Sequence, residues 1–572
     1  MNNTTENARG KIPFNPTERF ASILTENMLF TAGSLDALGK KPAFQKHTDN
    51  VIKTEEGVKF LSEPTMVSIH MAEISNHSEN NEDDNVFLFF IEDSLESQHQ
   101  TRLSRVARVC KSDVGGSTIM RNRFVSFLKA RLDCPFGDVG AAALVQDVFF
   151  LRDKNNIKNS LFYATFISNK NPSSTCSQSA VCAYRLSDIR HVFTGGLVSR
   201  SPSGSWTTVT EPFPPLYLHT CINDEMRAKG VRTSRDLPEK TLEFVKLYTV
   251  IEKNVTPITG KPLLVRSTAQ FSKIVVDKVT SLDGQQHSVM FISNNSGWVQ
   301  KAVWSDDDGG RIIEELQLFQ DPQPIRFLQL SSRSGQLYST TRTAVVQLSV
   351  RDCSRYTSCI DCLIARDPYC GWNRRTGLCA AVAGASNLSM IQNLIDGDFG
   401  ICPSYYLPKQ ITDIQLTLDV AQFLPCSPDT NFPIIWNFSG SILEPSPRHI
   451  LLSQGLILTP SFTDQGFYTC ETVEVVKGRE HRKAMIQYNV KVSVCGETLI
   501  LAMVTSILAL LCVLCLLFYI YVYWKQKTPN RVGSSSVSDD SSEQSGSCDC
   551  GSDPDTKKII ITGKEKRRKS II

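Results

Sequence analysis

Residues 359–372, CIDCLIARDPYCGW, place three cysteines, two aspartates and an arginine within fourteen positions. Thiols this close together admit three chemistries: tetrahedral zinc, thiol–disulfide exchange, or structural cystine. A zinc ribbon needs a second CxxC. Here Cys359-x2-Cys362 is not repeated, and no His falls between Cys353 and Cys402. A redox CxxC belongs to a βαβ unit, which the flanking sequence lacks. Six cysteines lie between Cys353 and Cys402. In an oxidising compartment they predict a small disulfide-stapled module, with pairings that spacing alone does not choose.

No other constellation points to catalysis. The nine histidines include no HExxH, and neither a GxSxG elbow nor a P-loop is present. Asp306, Asp307 and Asp308 form a turn-like SDDDGG without EF-hand spacing, as expected of a solvated loop. The sequence therefore predicts no catalytic residue, no metal site and no cofactor. A net charge of +3 over 572 residues implies no bulk attraction to nucleic acid.

The chain is long enough for three or four modules. Residues 498–524 run for 27 positions without a charge, enough to span a bilayer core of about 30 Å. Tyr519, Tyr521, Tyr523 and Trp524 crowd the end of this span, and Lys525, Lys527 and Arg531 follow. The positive-inside rule then predicts a single-pass type I protein at the plasma membrane, with the larger N-terminal part outside. N-x-S/T sequons at Asn76, Asn254, Asn294, Asn387 and Asn437, and the overlapping Asn2 and Asn3, all precede the span. MNNTTENARGKIPF has no apolar h-region. The expectation is a start further upstream or, failing that, a span that acts as its own signal.

From Lys11 to about Val350, short runs rich in Val, Ile, Phe and Tyr alternate with turns, for example NVFLFFIED (85–93), SLFYATFIS (160–168) and KIVVDKV (273–279). Irregularly spaced runs over 340 residues suit a β-propeller with decorated blades better than a single sandwich. One helix is expected over 235–254, with Asp236 as its N-cap and Pro238 in its first turn. Further on, Cys426, Trp436 and the DxGxYxC ending at Cys470 fit the core of an immunoglobulin-like sandwich, with Tyr468 placed as a tyrosine corner. After the span, GSSSVSDDSSEQSGSCDCGSDPD is too polar to offset the entropy of ordering. The basic KKIIITGKEKRRKSII follows, and Ser570, Ile571 and Ile572 fit a C-terminal PDZ ligand.

The succession SRVARVCKSDVGG (104–116), FLKARLDC (127–134), LVQDVFF (144–150), SAVCAYRLSDIRHVF (179–193) and RDPYCGW resembles the semaphorins. With an Ig-like module, one span and a short tail after it, the chain is most similar to a class 4 transmembrane semaphorin. The resemblance implies a mainly β ectodomain: a Sema propeller (1–350), a PSI module (351–403) and an Ig-like C2-type domain (409–494). The span (498–524) and a cytoplasmic tail (525–572) complete it. Family propellers have seven blades, so residues 1–350 are expected to lack N-terminal blade material. The resemblance also implies the pairs Cys110–Cys221, Cys134–Cys182, Cys353–Cys370, Cys359–Cys402, Cys362–Cys379 and Cys426–Cys470. Cys495, beside the span, is a candidate interchain disulfide or a free thiol, and Cys176 has no assigned partner. The implied function is a cell-surface ligand that binds plexins as a homodimer in axon guidance or cell migration, with a PDZ protein as a second partner. The alternative is an adhesion or receptor-like membrane protein signalling through its tail.

Overall fold

The computed structural model describes residues 8–525 except 26–27, 95, 97–101, 138–141, 170–177, 201–204, 215–219, 268, 307–308, 386–388, 403–410, 427–432, 477 and 494–496. Two compact units divide after Ser493.

Five successive sheets occupy the chain between Ala21 and Ser349. Each begins with an edge strand: β1 (Ala21–Thr25), β2 (Thr65–Ala72), β3 (Ala142–Leu151), β4 (Phe271–Thr280) and β5 (Phe327–Ser331). Each of these strands packs on the next in order, so the sheets radiate from a common axis as propeller blades do. Within a blade, strands adjacent in sequence pair antiparallel through short turns, as Gln286–Asn294 does with Trp298–Ser305. The run NVFLFFIED is uninterrupted because it sits mid-blade, and Val86 through Phe90 are fully buried. The second sheet is widened to seven strands by Leu197–Arg200, Trp206–Thr208 and Val250–Ile251, the last of them parallel to Leu128–Arg131. Among the described residues the fifth sheet has three strands.

Blades two and three meet through aromatic rings. His70 of β2 lies 5.9 Å from the rings of Phe89 and Phe162 and 6.4 Å from Phe150. Burial pushes its pKa down to about 4 from an ordinary 6.5. Above pH 6.5 the ring is neutral in both folded and unfolded chains. As pH falls from 6.5 to 4 the unfolded chain takes the proton first, so stability declines by about 3 kcal/mol across that window. In a His70→Phe variant the thermal midpoint should fall less between pH 7 and 4.5 than in the wild type. Parallel slopes would refute this assignment.

The helix expected over 235–254 is shorter. The first long helix of the decorated second blade, α1, spans Glu239–Leu247 with Pro238 at its N-cap. Asp236 instead closes the preceding turn, accepting from the Thr233 N–H at 2.7 Å and the Thr233 hydroxyl at 3.1 Å. Past Leu247 the β-branched Thr249, Val250 and Ile251 leave the helix, and Val250–Ile251 joins the widened sheet.

The cysteine-rich module contains α2 (Cys359–Ile364), capped by the Ser358 hydroxyl, and a sheet with Cys370–Asn373 at its centre. From Ile411 to Ser493 a five-stranded and a three-stranded sheet enclose Leu416, Leu424, Trp436, Leu456 and Val490. Tyr468 is fully buried, 4.6 Å from the Phe438 ring. Its hydroxyl does not make the corner bond expected of it: among the described residues it has no hydrogen-bond partner. Tyr488 instead donates to the Pro425 carbonyl at 2.7 Å. In the second unit α3 (Glu497–Lys525) is apolar and long enough to cross a membrane.

Candidate interaction surface and its neck

The cysteines of the opening motif are all spent on cystines. Cys353 is bonded to Cys370, Cys359 to Cys402 and Cys362 to Cys379, so neither half of the CxxC offers a thiolate to a metal or to exchange chemistry. In the blades Cys110 is bonded to Cys221 and Cys134 to Cys182, and Cys426 is bonded to Cys470 across the sandwich.

The residues between these cysteines form a two-sided latch that sequence reasoning missed. On the propeller side, Asp367 is fully buried against the Lys301 ammonium of the fourth blade, whose side chain is 2 % exposed. The same carboxylate accepts from the Tyr356 hydroxyl at 3.0 Å and the Tyr369 N–H at 3.0 Å. The Tyr369 hydroxyl reaches Asp277 of β4 at 2.6 Å, and Lys301 stands 4.7 Å from the centre of the Tyr369 ring. Burial and the Asp277 carboxylate push the Tyr369 phenol far above its usual range. Arg355 adds a bidentate pair to Glu314 at 2.8 and 3.1 Å. On the sandwich side, Asp361 accepts two bonds from Lys483 at 2.7 and 2.8 Å, and Arg366 pairs with Glu474 at 3.1 Å. The Arg366 carbonyl meanwhile accepts from Arg311 of the fourth blade at 3.0 Å. One short segment, 361–369, thus bonds both neighbours.

The loop KSDVGG (111–116) turns Asp113 inward and leaves Ser112 exposed. Asp113 accepts from the N–H groups of Gly115, Val125 and Ser126 at 2.8–2.9 Å and from the Ser126 hydroxyl at 2.6 Å. Gly115 has φ +80°, and a Cβ on Gly116 would meet the Ile119 carbonyl at 2.0 Å. The segment is a pinned turn that shapes the blade rim. Asp113→Ala should strip an acceptor from four donors and cost about 2–3 kcal/mol, read as a lower denaturation midpoint. A shift below a few tenths would show that water replaces the carboxylate.

Asn76 is exposed on a short turn, Asn254 is exposed beside Asp133, Asn294 accepts from the Ser296 and Trp298 N–H groups, and Asn437 is half-buried in a strand. Asn387, Cys176, Cys495, and Ser570 to Ile572 lie outside the described residues.

Comparison with known proteins matches two family models: the Sema domain over residues 145–332 and the plexin repeat (PSI) over 352–403. Human Semaphorin-4D is 34% identical over 506 residues, covering 86% of this chain and 58% of the relative. Mouse Semaphorin-4C is 33% identical over 495 residues, covering 82% and 58%. The chain thus spans less than two thirds of these relatives. Among solved structures, Drosophila Semaphorin 1a, extracellular domains 1-2, matches with a TM-score of 0.60 at 28% identity, over 70% of this chain and 79% of that one. The complex of Drosophila Plexin A with Semaphorin 1b matches with 0.58 at 26%, over 68% and 76%. Radiating sheets followed by a cystine-rich neck, matched by Sema and PSI models and by class 4 relatives, place the chain in one family: it belongs to the semaphorins.

Proposed function

We propose that this chain is a cell-surface semaphorin ligand whose propeller binds a plexin on an apposed cell and so triggers guidance, migration or adhesion responses. The supporting observation is its likeness to the semaphorin solved together with Plexin A. In this reading α3 anchors the chain in the plasma membrane, the modules at 1–350, 351–403 and 409–494 lie outside, the last of them Ig-like, and residues 525–572 face the cytosol. Paired propellers bring two plexins together, and tethering raises effective concentration without new contacts. Cys495 is the candidate cross-link of such a homodimer, and residues 570–572 the candidate PDZ ligand.

The test is to display the full chain on cells, confirm surface staining, and titrate soluble plexin ectodomains. Saturable binding of at least one plexin is expected; good surface staining with no binding at micromolar plexin would reject the reading. On non-reducing gels the wild type should run as a dimer and Cys495→Ser as a monomer. Identical mobility removes the cross-link.

A further inference from the structure

A cleft of about 1100 Å³ opens beside the second blade, and the sequon Asn254-Val255-Thr256 forms part of its wall. Val255 is 1 % exposed and pairs in a parallel bridge with Leu132. Asn254 and Thr256 on either side of it are both exposed, and both line the cleft. The Asn254 amide nitrogen donates one hydrogen bond, 2.7 Å, to Asp133, whose other oxygen is held by Arg131 at 2.6 Å. One N–H is therefore tied to the wall and the second is left to carry a substituent. Trp206 and Phe136, both only partly buried, supply apolar faces in the same cleft.

We infer that Asn254 carries an N-linked oligosaccharide whose first sugars lie within this cleft, with Asp133 as the positioning residue and Trp206 as an apolar platform. The inference rests on the extracellular reading above. In the transfer, the anomeric carbon of a lipid-diphosphate-linked oligosaccharide forms a bond to the Asn254 Nδ2. Its bond to the diphosphate breaks with the electron pair leaving on that group, and the amide proton goes to a base. The N–H that remains keeps the Asp133 bond and fixes the direction in which the sugar departs. The cleft exceeds the roughly 300–1,000 Å³ of ordinary small-molecule sites, so it accommodates several sugar rings. Asn76, exposed on its turn, lies outside this cleft and is the internal control.

The experiment is site-resolved glycopeptide mass spectrometry on surface-biotinylated full chain. Cradled sugars are hidden from processing mannosidases, so most glycan at Asn254 should remain oligomannose while that at Asn76 matures to complex forms. Trp206→Ala should raise the complex fraction at Asn254 several-fold and leave Asn76 unchanged. Complex glycan at Asn254 equal to that at Asn76 in the wild type overturns the cradle without any variant. An unoccupied Asn254 beside an occupied Asn76 overturns the site while leaving the extracellular reading intact. A surface chain with every sequon empty overturns both.

Discussion

Asp367→Ala is expected to lower ectodomain stability by about 3–5 kcal/mol, the usual cost of stranding one partner of a buried ion pair. Lys301, whose side chain is 2 % exposed, would lose its contacting carboxylate and keep only Glu314 at 3.8 Å, and the Tyr356 hydroxyl and Tyr369 N–H would lose their acceptor. The three cystines of the neck remain, so the module itself should persist while its seat on the fourth blade fails. The expected signature is a separate, earlier unfolding step and protease cleavage near 350–353 in the variant alone. Asp367→Asn retains the acceptor and loses only the charge, so its deficit should be smaller. A single cooperative transition in Asp367→Ala, within about 1 kcal/mol of wild type, would show that the latch contributes little, because it falls well short of the cost of a stranded buried charge.

The parts of this latch differ in how they announce themselves in the sequence. The strand runs, the cysteine-rich module and the long apolar helix are legible because each is a local pattern: period-two or continuous apolar runs, close thiols, 27 uncharged residues. Asp367 and Tyr369 are visible within RDPYCGW, yet their partners are not. Lys301 lies 66 residues before Asp367, and Lys483 lies 122 residues after Asp361. Isolated charges in a chain that is 21% charged carry no mark of burial. The end of α1 is hidden for a related reason. The apolar periodicity continues past Leu247, but sheet pairing at Val250–Ile251 overrides it. In KSDVGG the glycines read as a turn, whereas three of the four donors on Asp113 come from Val125 and Ser126, brought in by tertiary folding.

In the second blade the single change expected to cost most is the loss of Glu92. Glu92 is fully buried, accepting from Arg105 Nε at 2.9 Å and from Lys129 at 2.7 Å, with Lys129 fully buried and Arg105 2 % exposed. Lys129 also donates to the Phe60 carbonyl at 3.1 Å, and Arg105 reaches on to Glu96. Burial holds the Lys129 amine below its usual range, and Glu92 opposes that shift. Glu92→Ala leaves Lys129 without its counter-charge and Arg105 with Glu96 alone, so the loss should reach or exceed about 4–5 kcal/mol and abolish surface delivery. Glu92→Leu combined with Lys129→Met replaces the pair by apolar volume and should restore most of that stability, because two desolvation costs vanish together. The comparison is made by surface staining and thermal unfolding of the ectodomain. A double variant no better than Glu92→Ala would mean that the Arg105–Glu92 bond, rather than the buried Lys129–Glu92 pair, governs the blade.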